Sequence, residues 1–202
     1  MLVRYILKCY FYGIHSEYME TSYLSSVIKQ LEYYKSLGDK TIKQLSFEEL
    51  QWQPNEASNS VSILGKHLIG NMVSRWTNFL TEDGEKEWRK RDEEFIETYT
   101  NKEAFITSWE TGWSCLFHAI TPLTEEDQER IIYIRNQGHT VTEAINRQLA
   151  HYSYHIGQMV FLGKLIKGSD WQSLSIPKGK SATYNQQKFA KEKGKRHFTD
   201  DL

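Results

Sequence analysis

Apolar residues recur at three- and four-residue intervals over most of the chain, which is the period of amphipathic helices. Leu24, Val27, Ile28, Leu31, Tyr34 and Leu37 form the first stripe and predict a helix over about residues 20–45, loosened but not ended by Gly38. Ser46 with Glu49 three positions later is a capping-box pattern, so a short helical turn is expected before Trp52 and Pro54. PNEASNS then reads as a polar loop. Leu64, Leu68, Met72, Trp76 and Phe79 predict a second long helix over 61–81, and Phe105, Trp109, Trp113, Leu116 and Ile120 a third over 102–120.

Nearly every residue from 82 to 94 is charged, which reads as an exposed connection rather than core. Pro122 breaks the next stretch and Thr124 offers a second cap-like start. RIIYIRNQGHTV alternates briefly and contains Gly138, as a short extended arm or hairpin would. A fourth long helix is expected over 142–167, closed by Gly168. Beyond it, SDWQSLSIPKGKSATYN reads as a loop that folds back over the helices, bringing Ser175, Lys178 or Lys180 to a pocket. QQKFAKEKGKRHFTDDL reads as a polar, mobile tail. Four long helices with one charged crossover predict an all-α four-helix bundle.

Length supports this economy: 202 residues suffice for one filled core and give no reason to split it. The expected organisation is an N-terminal extension over 1–18, one bundle domain over 19–185, and a tail over 186–202. Amphipathic order begins just after Met19, which makes Met19 a second candidate start. A formal net charge of −1 speaks against a general nucleic-acid binder. Cys9 and Cys115 do not make a disulfide framework and fit a reducing, cytoplasmic setting. No apolar run approaches the roughly 20 residues that span a bilayer. MLVRYILKCYFYGIHSEY is interrupted by Lys8 and lacks a small-residue cleavage site, so neither a membrane anchor nor a signal peptide is expected.

The chemistry concentrates on histidine. His151 and His155 stand four residues apart on the fourth predicted helix, so both imidazoles project from one side of it. Seven histidines produce such a pair by accident in roughly one chain of five, so spacing alone is weak. Context strengthens it. The pair lies at the edge of the buried face, and His67, on the second helix, lies on a comparable polar seam with Asn71 and Arg75. Three neutral imidazoles would hold a divalent transition metal and leave positions open for water or substrate, the catalytic rather than the structural pattern. HYSYH holds no glutamate, so the H-E-x-x-H peptidase motif is absent. Asn71, Arg75, Arg147, Gln148 and Gln158 lie within one or two turns of these ligands and are candidates to orient them or to bind substrate. His139 is read as a cap or loop residue, and Trp109 and Trp113 as core. Gly179-Lys180-Ser181 lacks the earlier glycine of a phosphate loop, because position 174 is leucine.

The order of helices, the lone histidine on the second and the H-x-x-x-H pair on the fourth resemble the DinB/YfiT-like superfamily of bacterial metal-binding bundles. LGKHLIGNMVSRWTNFLTEDGEKEWRKRDEEF, GHTVTEAINRQLAHYSYHIGQ and SLSIPKGKSATYN are similar to an uncharacterised Bacillus-type subgroup, over about residues 19–185. The resemblance implies metal ligation by His67, His151 and His155, with zinc or nickel as the ion, and a homodimer. It also implies a small-molecule substrate and, as the first expectation, S-transfer of a low-molecular-weight thiol such as bacillithiol. Metal-dependent hydrolysis and a non-catalytic, metal-stabilised or ligand-sensing dimer are the alternatives.

Overall fold

Side-chain caps decide where the main helices begin. Ser46 makes a full capping box with Glu49, Ser60 accepts from the Ile63 N–H, Asn101 from Ala104, and Thr140 makes a second capping box with Glu143. The computed structural model describes residues 22–200, so the 1–18 extension and the Met19 alternative lie outside the described residues. The helices are α1 (Ser22–Gln44), α2 (Phe47–Gln51), α3 (Val61–Trp76), α4 (Lys102–Ile120), α5 (Val141–Lys167) and α6 (Ser181–Phe189). A two-stranded sheet, β1 (Ile131–Ile134) and β2 (Gln137–Thr140), completes a mostly helical fold. No helix of the described residues is long and apolar enough to cross a membrane.

The long helices pack pairwise, α3 on α4, α1 on α5 and α3 on α5, around one core. Its largest members are Trp109 and Trp113 of α4, Tyr152 of α5 and Phe105, all fully buried. Aromatic area on this scale anchors the helices without help from any ligand. The α5 helix ends where Gly168 adopts φ 54°, a left-handed value that a side chain would resist.

Two expectations need correction. The helix predicted to reach residue 81 stops at Trp76, because Thr77 turns extended and Asn78 takes φ 48°. Phe79 still reaches the core, packing edge-on against Trp76 at 5.2 Å, so a turn satisfies the apolar spacing that suggested more helix. The alternating segment is a hairpin, as expected, and its turn is Arg135-Asn136. Both turn residues have positive φ, and the Asp83 carboxylate accepts both of their N–H groups at 2.8 Å. The α6 helix spans the end of the expected loop and the start of the polar tail, and the tail docks on α1, where Lys29 pairs with Asp200 at 2.7 Å and Phe198 meets Tyr33 edge-on.

The largest correction concerns the charged crossover. Lys86 and Glu94 are buried, and the Arg89 side chain is only 3% exposed. Lys66 of α3 donates to the Glu93 and Ile96 carbonyls and to Thr98, and Ser74 donates to the Gly84 carbonyl. A run of mixed charge can pack against a helix when its own acids and bases neutralise one another.

Candidate metal centre

Four-residue steps on α3 set His67, Asn71 and Arg75 in one row beside the apolar row of Leu64, Leu68 and Met72. All three residues are buried, at 4, 5 and 5% exposure. On α5, His151 and His155 flank the fully buried Tyr152. Because α3 packs against α5, the two rows meet and the three histidines converge. One ligand nitrogen from each lies within 4.8 Å of the others.

The approach of His67 Nε2 to His151 Nε2 is 3.3 Å. Two nitrogens bound at 2.0–2.1 Å to one tetrahedral ion would stand about 3.3–3.4 Å apart, so this pair already has the spacing of shared ligands. Two of the far nitrogens are occupied. His67 Nδ1 faces Glu94 Oε2 at 2.9 Å, and His155 Nδ1 faces Gln158 Oε1 at 2.8 Å. Both carbonyl-type acceptors place the proton on Nδ1, so each Nε2 presents a lone pair; these tautomers follow from the hydrogen-bond pattern. The donor set therefore fits a divalent transition ion, and its chemistry does not choose between zinc and nickel.

Glu94 is the residue that sequence reasoning missed. It sits on the 3-10 turn Arg91–Phe95, and Phe95 stacks on the His67 ring at 5.0 Å. Arg89 grips the same carboxylate with Nε at 2.8 Å and Nη2 at 3.0 Å, and reaches Glu85 with Nη1 at 3.0 Å. Gly70 makes this approach possible, since a Cβ there would run into the Glu94 carboxylate. The signal in the sequence was Phe95, an aromatic directly after the acids that marks where the charged run turns inward.

The other candidates divide. Asn71 accepts from the Tyr152 hydroxyl at 3.1 Å, and Trp76 donates to that hydroxyl at 2.9 Å, so Asn71 belongs to a buried network beside the histidines. Arg75 and Gln148 are buried along the same interface. Gln158 orients His155, and on its other side lines a groove of about 550 Å³ with Leu64, Tyr154 and Phe161. Arg147 is exposed and meets His139 of β2 at 3.3 Å rather than the histidine cluster. Ser175, Lys178 and Lys180 are exposed. Their segment docks at the far end of α5, through Gln172 on Gln44 and Trp171 against Gly163.

Residues 18–180 match the family model described as protein of unknown function (DUF1572). The chain belongs to this family. The DUF1572 match contains all three histidines together with Arg75, Arg89, Glu94 and Gln148. No curated protein and no solved structure matches the chain.

The electrostatics of this DUF1572 site favour neutral ligands. Burial, then His155, His67, Arg75 and Arg89, push the His151 imidazole down to about 3. Burial also lowers His155, against the Gln158 hydrogen bond. Burial raises Glu94, but the hydrogen bonds from His67 and Arg89 outweigh it and hold the carboxyl below its usual range. A metal ion thus meets neutral rings at His151 and His155 at neutral pH.

The same shifts set the pH response of metal-free protein. Between about pH 3 and the ordinary histidine value of 6.5, the unfolded chain binds protons at His151 that the folded chain refuses. Stability therefore falls as pH drops through that window. Chelator-treated protein is expected to lose about 1 kcal/mol between pH 7 and pH 5 in urea unfolding, a figure already reduced for the partial exposure of the ring. Equal stability at both values would mean that the rings are solvated.

Proposed function

We propose that this protein binds one divalent transition ion through His67, His151 and His155, in a four-helix bundle of DinB/YfiT-like type, and uses it in S-transfer from a low-molecular-weight thiol. The observation that carries the reading is the convergence of three imidazole nitrogens with no carboxylate or thiolate among them. Such a set leaves an ion its full charge and an open side. A bound ion would supply Lewis-acid chemistry, favouring the thiolate form of a thiol that reaches it.

The chain's own residues support transfer over hydrolysis. Hydrolysis needs a base beside the attacking water. The carboxylate next to the histidines, Glu94, already accepts one hydrogen bond from His67 and two from Arg89, so it orients a ligand and is not free to take a proton. Thiol transfer makes no such demand, because the thiol proton can leave to solvent before the sulfur attacks an electrophilic carbon and displaces its leaving group.

The test is elemental analysis on gently purified protein followed by assay of the metal-loaded form with bacillithiol and a panel of alkylating electrophiles. Turnover that a chelator abolishes and added zinc or nickel restores is expected. Full metal content with no turnover across several thiols overturns the transferase reading and leaves metal binding standing.

A further inference from the structure

Arg75 is a buried cation with unmet hydrogen bonds. It lies two turns beyond His67 on α3 and is 5% exposed, yet its Nε and Nη1 have no hydrogen-bond partner among the described residues. Its remaining contact, Nη2 to Glu85 at 3.7 Å, is too long for a hydrogen bond. Glu85 is also shared, since Arg89 holds it at 3.0 Å and Arg135 approaches at 3.4 Å. Glu94 is committed to Arg89 and His67. Three arginines thus face two carboxylates, one of them also engaged by a histidine, and Arg75 is left the least satisfied.

Across the interface stands a second orphan. Gln148 of α5, one turn before His151, is 2% exposed, and its Oε1 has no partner among the described residues. The polar groups nearby are already used, because Asn71, Tyr152 and Trp76 bond one another. Tyr152 of α5 donates to Asn71 of α3 and His67 meets His155, so the helices run past one another with Arg75, four residues after Asn71, and Gln148, four before Tyr152, towards the same end of the interface. Burying a guanidinium without partners is unfavourable, and so is burying an amide oxygen; native proteins rarely keep such groups without a use. The site lacks an oxyanion for the arginine and a donor for the glutamine.

We propose that Arg75 and Gln148 form the binding site for a small carboxylic acid that carries a hydroxyl or amino group next to its carboxylate. The carboxylate accepts from Arg75 Nε and Nη1, and the neighbouring O–H or N–H donates to Gln148 Oε1. Gln148 precedes His151 by three residues, about 4.5 Å along the helix axis, so a ligand held there extends toward the histidines. His151 and Arg75 already lie in one another's field. Arg147, exposed on the same stretch of α5, adds positive potential to which Arg75 also responds, favouring entry of anions. That the far end of the ligand meets an ion rests on the proposed function; the anion site itself does not.

The experiment uses the full chain with its metal content measured in every sample. L-malate, L-lactate and acetate are titrated by calorimetry and thermal shift, each against its neutral amide. The two hydroxy acids are expected to bind and their amides not to bind. Arg75→Met should weaken the hydroxy acids by about 10- to 100-fold, the loss of a charged hydrogen-bonding partner, with metal content unchanged. Ligand-free Arg75→Met should melt no lower than the parent, since it removes a buried, unmet charge. Gln148→Leu is the second variant, expected to bring malate and lactate down to the level of acetate. No carboxylate response in metal-loaded parent protein, or a response that survives Arg75→Met, overturns the proposal. A normal carboxylate response in protein that binds no metal would instead sink the metal reading alone.

Discussion

His151→Ala is expected to strip the ion from the chain, taking metal content from about one equivalent to background while the fold persists. Two imidazoles remain, but the lost ring supplies the nitrogen that stands 3.3 Å from His67 Nε2, the spacing of shared ligands. Even a partner that merely orients a ligand is worth about 10- to 100-fold in affinity, so deleting a ligand itself exceeds that. Stability should respond differently. A structural zinc contributes about 10–16 kcal/mol, and its loss would unfold a domain of ordinary stability. Here the core is Trp109, Trp113, Phe105 and Tyr152, all buried independently of any ion. His151→Ala should therefore match chelator-treated parent protein within about 1 kcal/mol. Elemental analysis and urea unfolding on the same preparations decide it. Loss of metal together with collapse of the fold would make the ion structural and remove the case for an open, working site.

Glu94→Gln is the second large effect, and it falls on a residue inside a run that reads as solvent-exposed. The substitution keeps size and shape but removes the charge that faces Arg89 at 2.8 and 3.0 Å and His67 at 2.9 Å. Removing one partner of a buried pair costs about 3–5 kcal/mol, because the other charge stays buried. For a domain of this size that lowers the melting temperature by roughly 10 °C. Metal affinity should fall about 10- to 100-fold, since His67 and Arg89 must then compete for one neutral amide oxygen and the His67 tautomer is held less firmly. Glu93→Gln is the control. Its side chain is 64% exposed and pairs only with exposed Lys90, so a change within about 0.5 kcal/mol is expected. If calorimetry and metal titration find the two variants alike, the crossover is solvated and Glu94 supports nothing.

How far the chain's pattern could be read follows the range of the forces involved. The helix starts at Ser46, Ser60, Asn101 and Thr140 rest on contacts three residues apart, and the stripes of α3, α4 and α5 on contacts of three to four. Both are visible in one dimension. The placing of His67 beside Asn71 and of His151 beside His155 follows from the same spacing. Where the reading failed or stopped short, a longer-range fact intervened. The α3 helix ends at Trp76 because the chain turns at Asn78 and still buries Phe79, which periodicity cannot tell from continued helix. The Arg135-Asn136 turn owes its position to Asp83, some fifty residues earlier.

By itself, then, the sequence determined the helices and the faces on which three histidines stand, because period and capping are local. Only the tertiary structure decided that the histidines share one centre, that Glu94 and Arg89 lie buried beneath them, and that Arg75 of α3 and Gln148 of α5 are buried with hydrogen bonds unmet. A charged side chain is buried or solvated according to whether partners across the fold neutralise it, and those partners are chosen by packing rather than by sequence neighbours.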